Sequence, residues 1–484
     1  MTESEAARRG PTLPLIIQGG MGVYVSNHNL VREFSKAGER LGYPVMGTVS
    51  GTGIGHVVSR ILQHGDPGGY YRPAFEAFPF QEMAERVWTK YYIEGGKAAD
   101  KPYKLPPMVN LRSSKDVIEL IICANYAEVW LAKQGHNQPV AINYLEKIQT
   151  PHLAELFGAM LAGVDVVAMG AGIPDQVPGV LDALSRLETA RYWLDADSRR
   201  SSKHATIFNP LDFIPIKYLE HLKRPDFYAI ISSDLLAKIL TSRRVTGLVN
   251  GFIVENHTAG GHNAPPRVNL GLNGEGEYIY GARDEVNLEE MVKLRRPFWL
   301  AGSRASPKGI EEAIAAGATG IQGGSIFALA NESGLPVPTK QEIIRRALRG
   351  DLKVVADPEC SPSGFPFNVV QLEGTVSDPD VYRKRERVCK IGYLRQGYTT
   401  TSGGLDFRCS AEPVRTFINR GGKPEDTIGK KCLCVHLLGA VGLDEEPSIV
   451  TLGRDVSFVP HLATLENPGY SAESALAYLL GGGK

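Results

Sequence analysis

One unit recurs along this chain. A short apolar run rich in β-branched residues ends in a cluster of small residues, and an amphipathic helical stretch follows. Leu13-Pro-Leu-Ile-Ile-Gln-Gly-Gly-Met-Gly-Val-Tyr-Val25 opens the series, and Ser26 or Asn27 stands where a helix bearing Leu30, Val31, Phe34, Ala37 and Leu41 would be capped. Further apolar runs lie at 44–49, 140–143, 165–170, 227–231, 251–255, 298–301 and 320–323. Runs of this length and composition read as strands buried on both faces. Their alternation with helices predicts a parallel sheet. Eight repeats favour closure into a (β/α)8 TIM barrel over an open doubly wound sheet. Active sites in such barrels lie at the C-terminal ends of the strands, and here Gly, Asn and His residues stand directly after the runs.

Composition narrows the function classes. Glycine makes up 53 of the 484 residues, against a usual ~7%, and the excess sits largely at the strand ends. Lys plus Arg and Asp plus Glu are both 53, so the formal charge is zero. That balance removes a global electrostatic drive toward nucleic acid or an anionic membrane. No run approaches the ~18 apolar residues of a membrane span. Residues 1–11 are polar and lack the apolar core of a signal peptide, and six cysteines in so long a chain do not make a disulfide scaffold. A cytoplasmic location is expected.

Three segments fall outside the repeat. Residues 64–107 hold nine aromatics, too many for a solvated linker. Such an insertion either caps the barrel mouth or packs as a helical excursion on the side. Residues 191–204 are polar and read as a surface loop. The barrel is expected over 11–330, and residues 331–484 form a C-terminal extension too long for a tail.

The last two strand ends, Leu300-Ala-Gly-Ser-Arg-Ala-Ser-Pro-Lys308 and Gly317-Ala-Thr-Gly-Ile-Gln-Gly-Gly-Ser-Ile-Phe327, are both rich in small residues. Consecutive strands of a barrel frequently build a phosphate cradle from backbone N–H groups in this region. Gly302, Ser303, Gly323, Gly324 and Ser325 are the candidate donors; the alternative is that these glycines serve only tight turns. Ser50-Gly-Thr-Gly-Ile-Gly55 has G-x-G-x-G spacing and fails the dinucleotide fingerprint.

Gln18-Gly-Gly-Met21, Gly170-Ala-Gly172 with Pro174, Ala259-Gly-Gly-His262 and Gly320-Ile-Gln-Gly-Gly-Ser-Ile-Phe327 occur in the order of a known family. Over roughly 11–330 the chain resembles the FMN-dependent nitronate monooxygenases, whose superfamily includes the flavin-dependent enoyl-ACP reductase II. The extension looks like that of a longer branch of the family. The resemblance implies a TIM barrel with FMN across its mouth. Gly20, Met21 and Gly22 would back the isoalloxazine, and Asn143 would bond the ring edge. Gly170 and Gly172 would approach the ribityl chain, and Gly260 and Gly261 would leave room beside His262. His262 would be the catalytic base, with a nitronate or nitroalkane as small-molecule substrate and O2 as co-substrate. A reductase using NAD(P)H and an enoyl thioester is the alternative, and a flavin-free scaffold the lesser one. A homodimer is implied at family level. Two departures stand out. The seventh strand ends in Ala-Gly-Ser-Arg rather than Ala-Gly-Gly-Ile, so Arg304 either adds charge to the phosphate or points away. Thr258 replaces the acidic residue frequent in the reductases.

Cys123 lies in an apolar helix and reads as core. Cys389, Cys409, Cys432 and Cys434 crowd a short part of the extension, with Lys430 and Lys431 beside them. Thiolates gather in this way for zinc or an iron–sulfur centre, although the spacing departs from C-x2-C pairs. Partly buried structural thiols are the alternative. A metal here is expected to be structural and far from the flavin.

Overall fold

The structure is a computed structural model and describes residues 13–197, 199–215 and 221–482. Residues 1–12, which include the polar N-terminal stretch and the first two residues of the expected barrel, lie outside the described residues. Eight parallel strands close a barrel: β1 (Ile16–Gln18), β2 (Val45–Ser50), β3 (Val140–Leu145), β4 (Val166–Gly170), β5 (Asp226–Ile231), β6 (Gly251–Glu255), β7 (Phe298–Ala301) and β8 (Gly320–Gly323). Each strand pairs with its neighbours in sequence, and β8 closes on β1 with Ile16 opposite Ile321. This is the (β/α)8 architecture that the eight apolar runs predict.

Strand alternation divides the side chains into two sets. One set fills the barrel: Ile17, Met46, Ala141, Val166, Ala168, Tyr228, Ile253, Trp299 and Ala301 form a core of their own. Tyr228 and Trp299 stack there at 4.9 Å, and the Trp299 indole N–H donates to the Pro14 carbonyl at 2.7 Å. The other set, such as Ile16, Phe252, Val254, Leu300 and Ile321, packs outward against the helices. The helix His28–Leu41 is capped by the Asn27 side chain, which accepts the Leu30 N–H at 2.9 Å. It ends at Gly42, whose left-handed φ of 76° suits the residue without a Cβ.

The aromatic insertion lies on the side of the barrel. Its helices Tyr71–Glu76 and Gln81–Tyr91 pack on the helix Lys115–Ala132, where Phe78 meets Tyr126 edge-on at 4.9 Å. The capping alternative fails because another part of the chain covers the mouth. Residues 191–204, expected as a surface loop, belong instead to an antiparallel hairpin of strands Ala190–Ala196 and Arg199–Phe208. Tyr192, Leu194 and Ala196 point inward with a period of two, and the polar residues between them mask that pattern.

The C-terminal extension covers the mouth. Its strands Val354–Asp357 and Phe367–Val370 form a sheet with the two-residue strand Gly261–His262, placing Phe367 opposite His262 and Asn368 opposite Gly261. Among the described residues no helix is long and apolar enough to cross a membrane.

Candidate active site

The inward-facing parity of each strand continues past the packed barrel core to its C-terminal end. Gly19, Ser50, Asn143, Gly170, Ile230, Glu255, Ala301 and Gln322 continue that set toward the mouth, and all of them line one cavity there. The loop Gly20-Met21-Gly22 forms one wall. Gly260, Gly261 and His262 form another, and Gly302, Ser303, Gly323, Gly324 and Ser325 a third. The structure therefore brings together every barrel residue expected at the site except Gly172. That glycine lines an adjoining cavity, where Glu146 stands in the space a Cβ would need.

Several features suit a planar, polar guest held close to backbone. A Cβ at Gly20 would run into the Asn143 carboxamide, and one at Gly302, with φ of 88°, would run into Asn256. Asn143 donates from Nδ2 to the Gly20 carbonyl at 3.0 Å, while its buried Oδ1 has no partner. The buried Ser50 hydroxyl below Gly22 also has none. Buried polar atoms without partners are costly, and these two belong to residues that line the cavity. A Cβ at Gly324 or Gly261 would meet nothing within 4 Å, so both leave open space. Ser303 is held by a 2.8 Å contact between its hydroxyl and that of Thr258, which in turn donates to Asn256 Oδ1. Arg304 lines the cavity but pairs with Glu312 at 3.1 Å, so its charge is directed to that partner.

His262 is half-buried. Burial alone pulls its imidazole down to about 4, so it is neutral near pH 7. Its Nε2 lies 2.7 Å from the Ser361 hydroxyl, and Phe367 packs edge-on to its ring at 4.8 Å. Both residues come from the C-terminal extension. His257 stacks on Tyr280 at 4.1 Å in the adjoining cavity, which fits a structural role.

Two groups of site residues escape sequence reasoning. Glu255 is the first. It ends β6 two positions after Ile253 and so points into the mouth, where burial pushes its carboxyl up to about 7. Glu255 and His262, with Ala171 and Ile230, are shared by the two cavities and mark the passage between them. Strand parity in the sequence carried that signal. The second group is the cover: Tyr393, Leu394, Leu433, Cys434, Leu437, Leu452 and Phe458 close the cavity from above. The chain folds back this way through defined bonds. Thr451 Oγ1 accepts the Gly261 N–H at 2.7 Å, Ser325 Oγ accepts the Gly453 N–H at 2.7 Å, and the Thr258 carbonyl accepts the Arg454 N–H at 3.0 Å.

The cysteines depart from the metal expectation. Among the described residues no three His, Cys, Asp or Glu side chains are arranged to hold a metal ion. A hydrogen bond with Cys434 and burial hold the Cys432 thiol protonated, and burial pushes Cys389 up to about 11. These two are protonated thiols in apolar surroundings, and protonated thiols are poor ligands. Cys434 differs, since its hydrogen bond with Cys432 pulls its thiol down to about 7. The cysteines are not remote from the site either, since Cys434 lines the cavity.

No protein-family model and no curated protein matches the chain. Among solved structures it is similar to FabK from Thermotoga maritima, with 15% identity, a TM-score of 0.47, and coverage of 97% of this chain and 93% of that one. It is also similar to a nitroalkane oxidase from Streptomyces ansochromogenes, at 13% identity and a TM-score of 0.45, covering 97% and 96%. The enoyl reductase domain of MlnA, from the macrolactin biosynthesis cluster of Bacillus amyloliquefaciens, matches at 13% identity and a TM-score of 0.37, covering 80% and 71%.

Proposed function

We propose that the mouth cavity binds FMN and that the chain is an oxidoreductase acting on a nitronate or nitroalkane with O2 as co-substrate. The observation that carries this reading is a neutral, half-buried histidine beside a wall of bare glycines that includes two unpartnered buried polar atoms. Asn143 Oδ1 and the Ser50 hydroxyl are suited to the polar edge of a flavin ring, with Gly20, Met21 and Gly22 behind it. Gly302, Ser303, Gly323, Gly324 and Ser325 offer the phosphate a cradle of small residues that permits close backbone approach. When bound, the flavin supplies the redox centre. The protein supplies the rest. His262, neutral at working pH, accepts the α-proton of a nitroalkane or orients a nitronate already formed. The cover from the C-terminal extension keeps bulk water from the reacting atoms.

The absorbance spectrum of the purified protein is the first test. A colourless protein that also fails to take up added FMN would sink the flavin reading and leave a scaffold. For a yellow protein, anaerobic mixing with nitronate and with NADH divides the remaining chemistry. Bleaching by nitronate alone supports oxidation. Rapid bleaching by NADH with none by nitronate overturns it in favour of an NAD(P)H-dependent enoyl-thioester reductase.

A further inference from the structure

We propose that Ser361 and Ser363 of the C-terminal extension form a two-hydroxyl proton relay from His262 Nε2 toward solvent. The inference rests on the reading of His262 as the base of the site. His262 Nε2 stands 2.7 Å from Ser361 Oγ, and Ser361 Oγ stands 2.7 Å from Ser363 Oγ. Ser361 is fully buried, whereas Ser363 is half-buried and precedes the exposed Gly364. The three groups thus run from the covered cavity to the surface.

The backbone fixes the geometry. Ser361 Oγ accepts the Ser363 N–H at 3.2 Å, and Ser363 Oγ accepts the Phe365 N–H at 3.4 Å, so the loop folds around its own two hydroxyls. Pairing of the Phe367 strand with Gly261–His262 sets the imidazole against this loop. Both hydroxyls can donate or accept, and no observed bond forces one direction.

The need for a relay follows from the cover that the extension lays over the cavity. A base that takes a proton inside a covered cavity must shed it before the next turnover. Among the described residues, His262 Nδ1 has no bonded partner and is free to meet substrate. A proton arriving at Nδ1 makes the imidazolium. Nε2 then gives its proton to Ser361 Oγ, Ser361 gives its own to Ser363 Oγ, and Ser363 gives its own to solvent. One proton enters, one leaves, no electrons move, and the histidine is again neutral in its other tautomer. The first tautomer is restored when Nδ1 gives its proton to the oxygen product formed from O2 in the cavity and Nε2 takes one from solvent through Ser363 and Ser361, so each cycle exports the substrate proton and imports one for that product. Hydroxyl reorientation suffices, with no heavy atom displaced.

The two serines separate a relay from a mere prop. Ser361→Ala removes both the bond to His262 and the path. Ser363→Ala leaves the His262–Ser361 bond and cuts the path beyond it, together with the weak 3.4 Å bond from the Phe365 N–H. The direct readout is exchange of the His262 ring N–H with D2O, followed by 15N NMR on the histidine-labelled full-length protein and assigned by loss of the signal in His262→Asn. The relay predicts that exchange slows at least about tenfold in both alanine variants and is kept in Ser361→Thr. Unchanged exchange in Ser363→Ala overturns it, because the proton then leaves by another route. This readout does not require turnover, so it stands apart from the test of substrate. With an active enzyme, both alanine variants should lower kcat about tenfold at unchanged KM, and small buffer bases should restore Ser363→Ala. A loss confined to Ser361→Ala would reduce the serine to a positioning residue and overturn the relay.

Discussion

Glu255 and Ile253 share one face of β6, and that parity places a carboxyl at the passage between the two cavities, which His262 also lines. Burial drives their ionisation in opposite directions. The Glu255 carboxyl rises to about 7, so between pH 4.5 and 7 the folded protein retains a proton that the unfolded chain releases. Stability from this group therefore falls as pH rises through that window. Glu255→Gln should gain about 2 kcal/mol at pH 8 and little at pH 4, read by denaturant unfolding at both values. Equal gains at both pH values would show that the carboxyl is not held protonated. His262 behaves as the mirror case. Its folded value of about 4 lies below the ordinary 6.5, so its contribution rises with pH across that interval and is lost as pH falls through it. In catalysis, His262→Ala should lower kcat/KM by about 10²- to 10⁴-fold with a nitroalkane as substrate, the range expected for a general base. Gly20→Ala tests the other wall. Its methyl would strike Asn143, so flavin retention should fail while the circular dichroism spectrum stays that of the parent. A yellow Gly20→Ala protein would place the ring elsewhere.

The Gly261–His262 strand depends on an element that the chain reaches 190 residues later. Thr451 Oγ1 accepts the Gly261 N–H, so Thr451→Val leaves a partly buried donor without a partner. A loss of about 1–3 kcal/mol is expected, with Thr451→Ser close to the parent, measured by thermal unfolding. The barrel strands could be read in advance because strands buried on both faces are written as unbroken apolar runs, and each of the eight stands where such a run does. Gly302, Ser303, Gly323, Gly324 and Ser325 could be picked out because they end or follow those runs, whereas the flavin-facing glycines and His262 came from the family resemblance, His262 standing seven residues past the end of its strand. The hairpin at 190–208 was not, because its one buried face alternates with Arg191, Trp193 and Asp195 on the other. Nor was the contact of Ser361 and Phe367 with His262, because it joins segments far apart in sequence, and no local periodicity encodes such a pairing.

At the scale of the whole molecule, the extension and the barrel share one hydrophobic core. Ile16, Phe34 and Phe327 of the barrel belong to the same packed cluster as Val369, Leu438 and Phe458 of the extension. A buried ion pair crosses the same boundary. Arg60, on the helix Ile54–Gln63, meets Asp444 at 2.9 Å, with their side chains 1% and 2% exposed. Desolvation works against the Arg60 charge, and Asp444 is the foremost group that supports it. Removing one partner of such a pair costs about 3–5 kcal/mol because a buried charge is left alone, whereas replacing both with apolar residues is often nearly neutral. Asp444→Ala should therefore lower the midpoint of a single unfolding transition for the entire chain, and Arg60→Met with Asp444→Leu should recover most of the loss. Two transitions, only one of them shifted by Asp444→Ala, would mean that the barrel stands without its cover. The single-transition outcome would make the cover part of the enzyme's fold, so that cavity, histidine and relay are lost together when residues beyond 330 are removed.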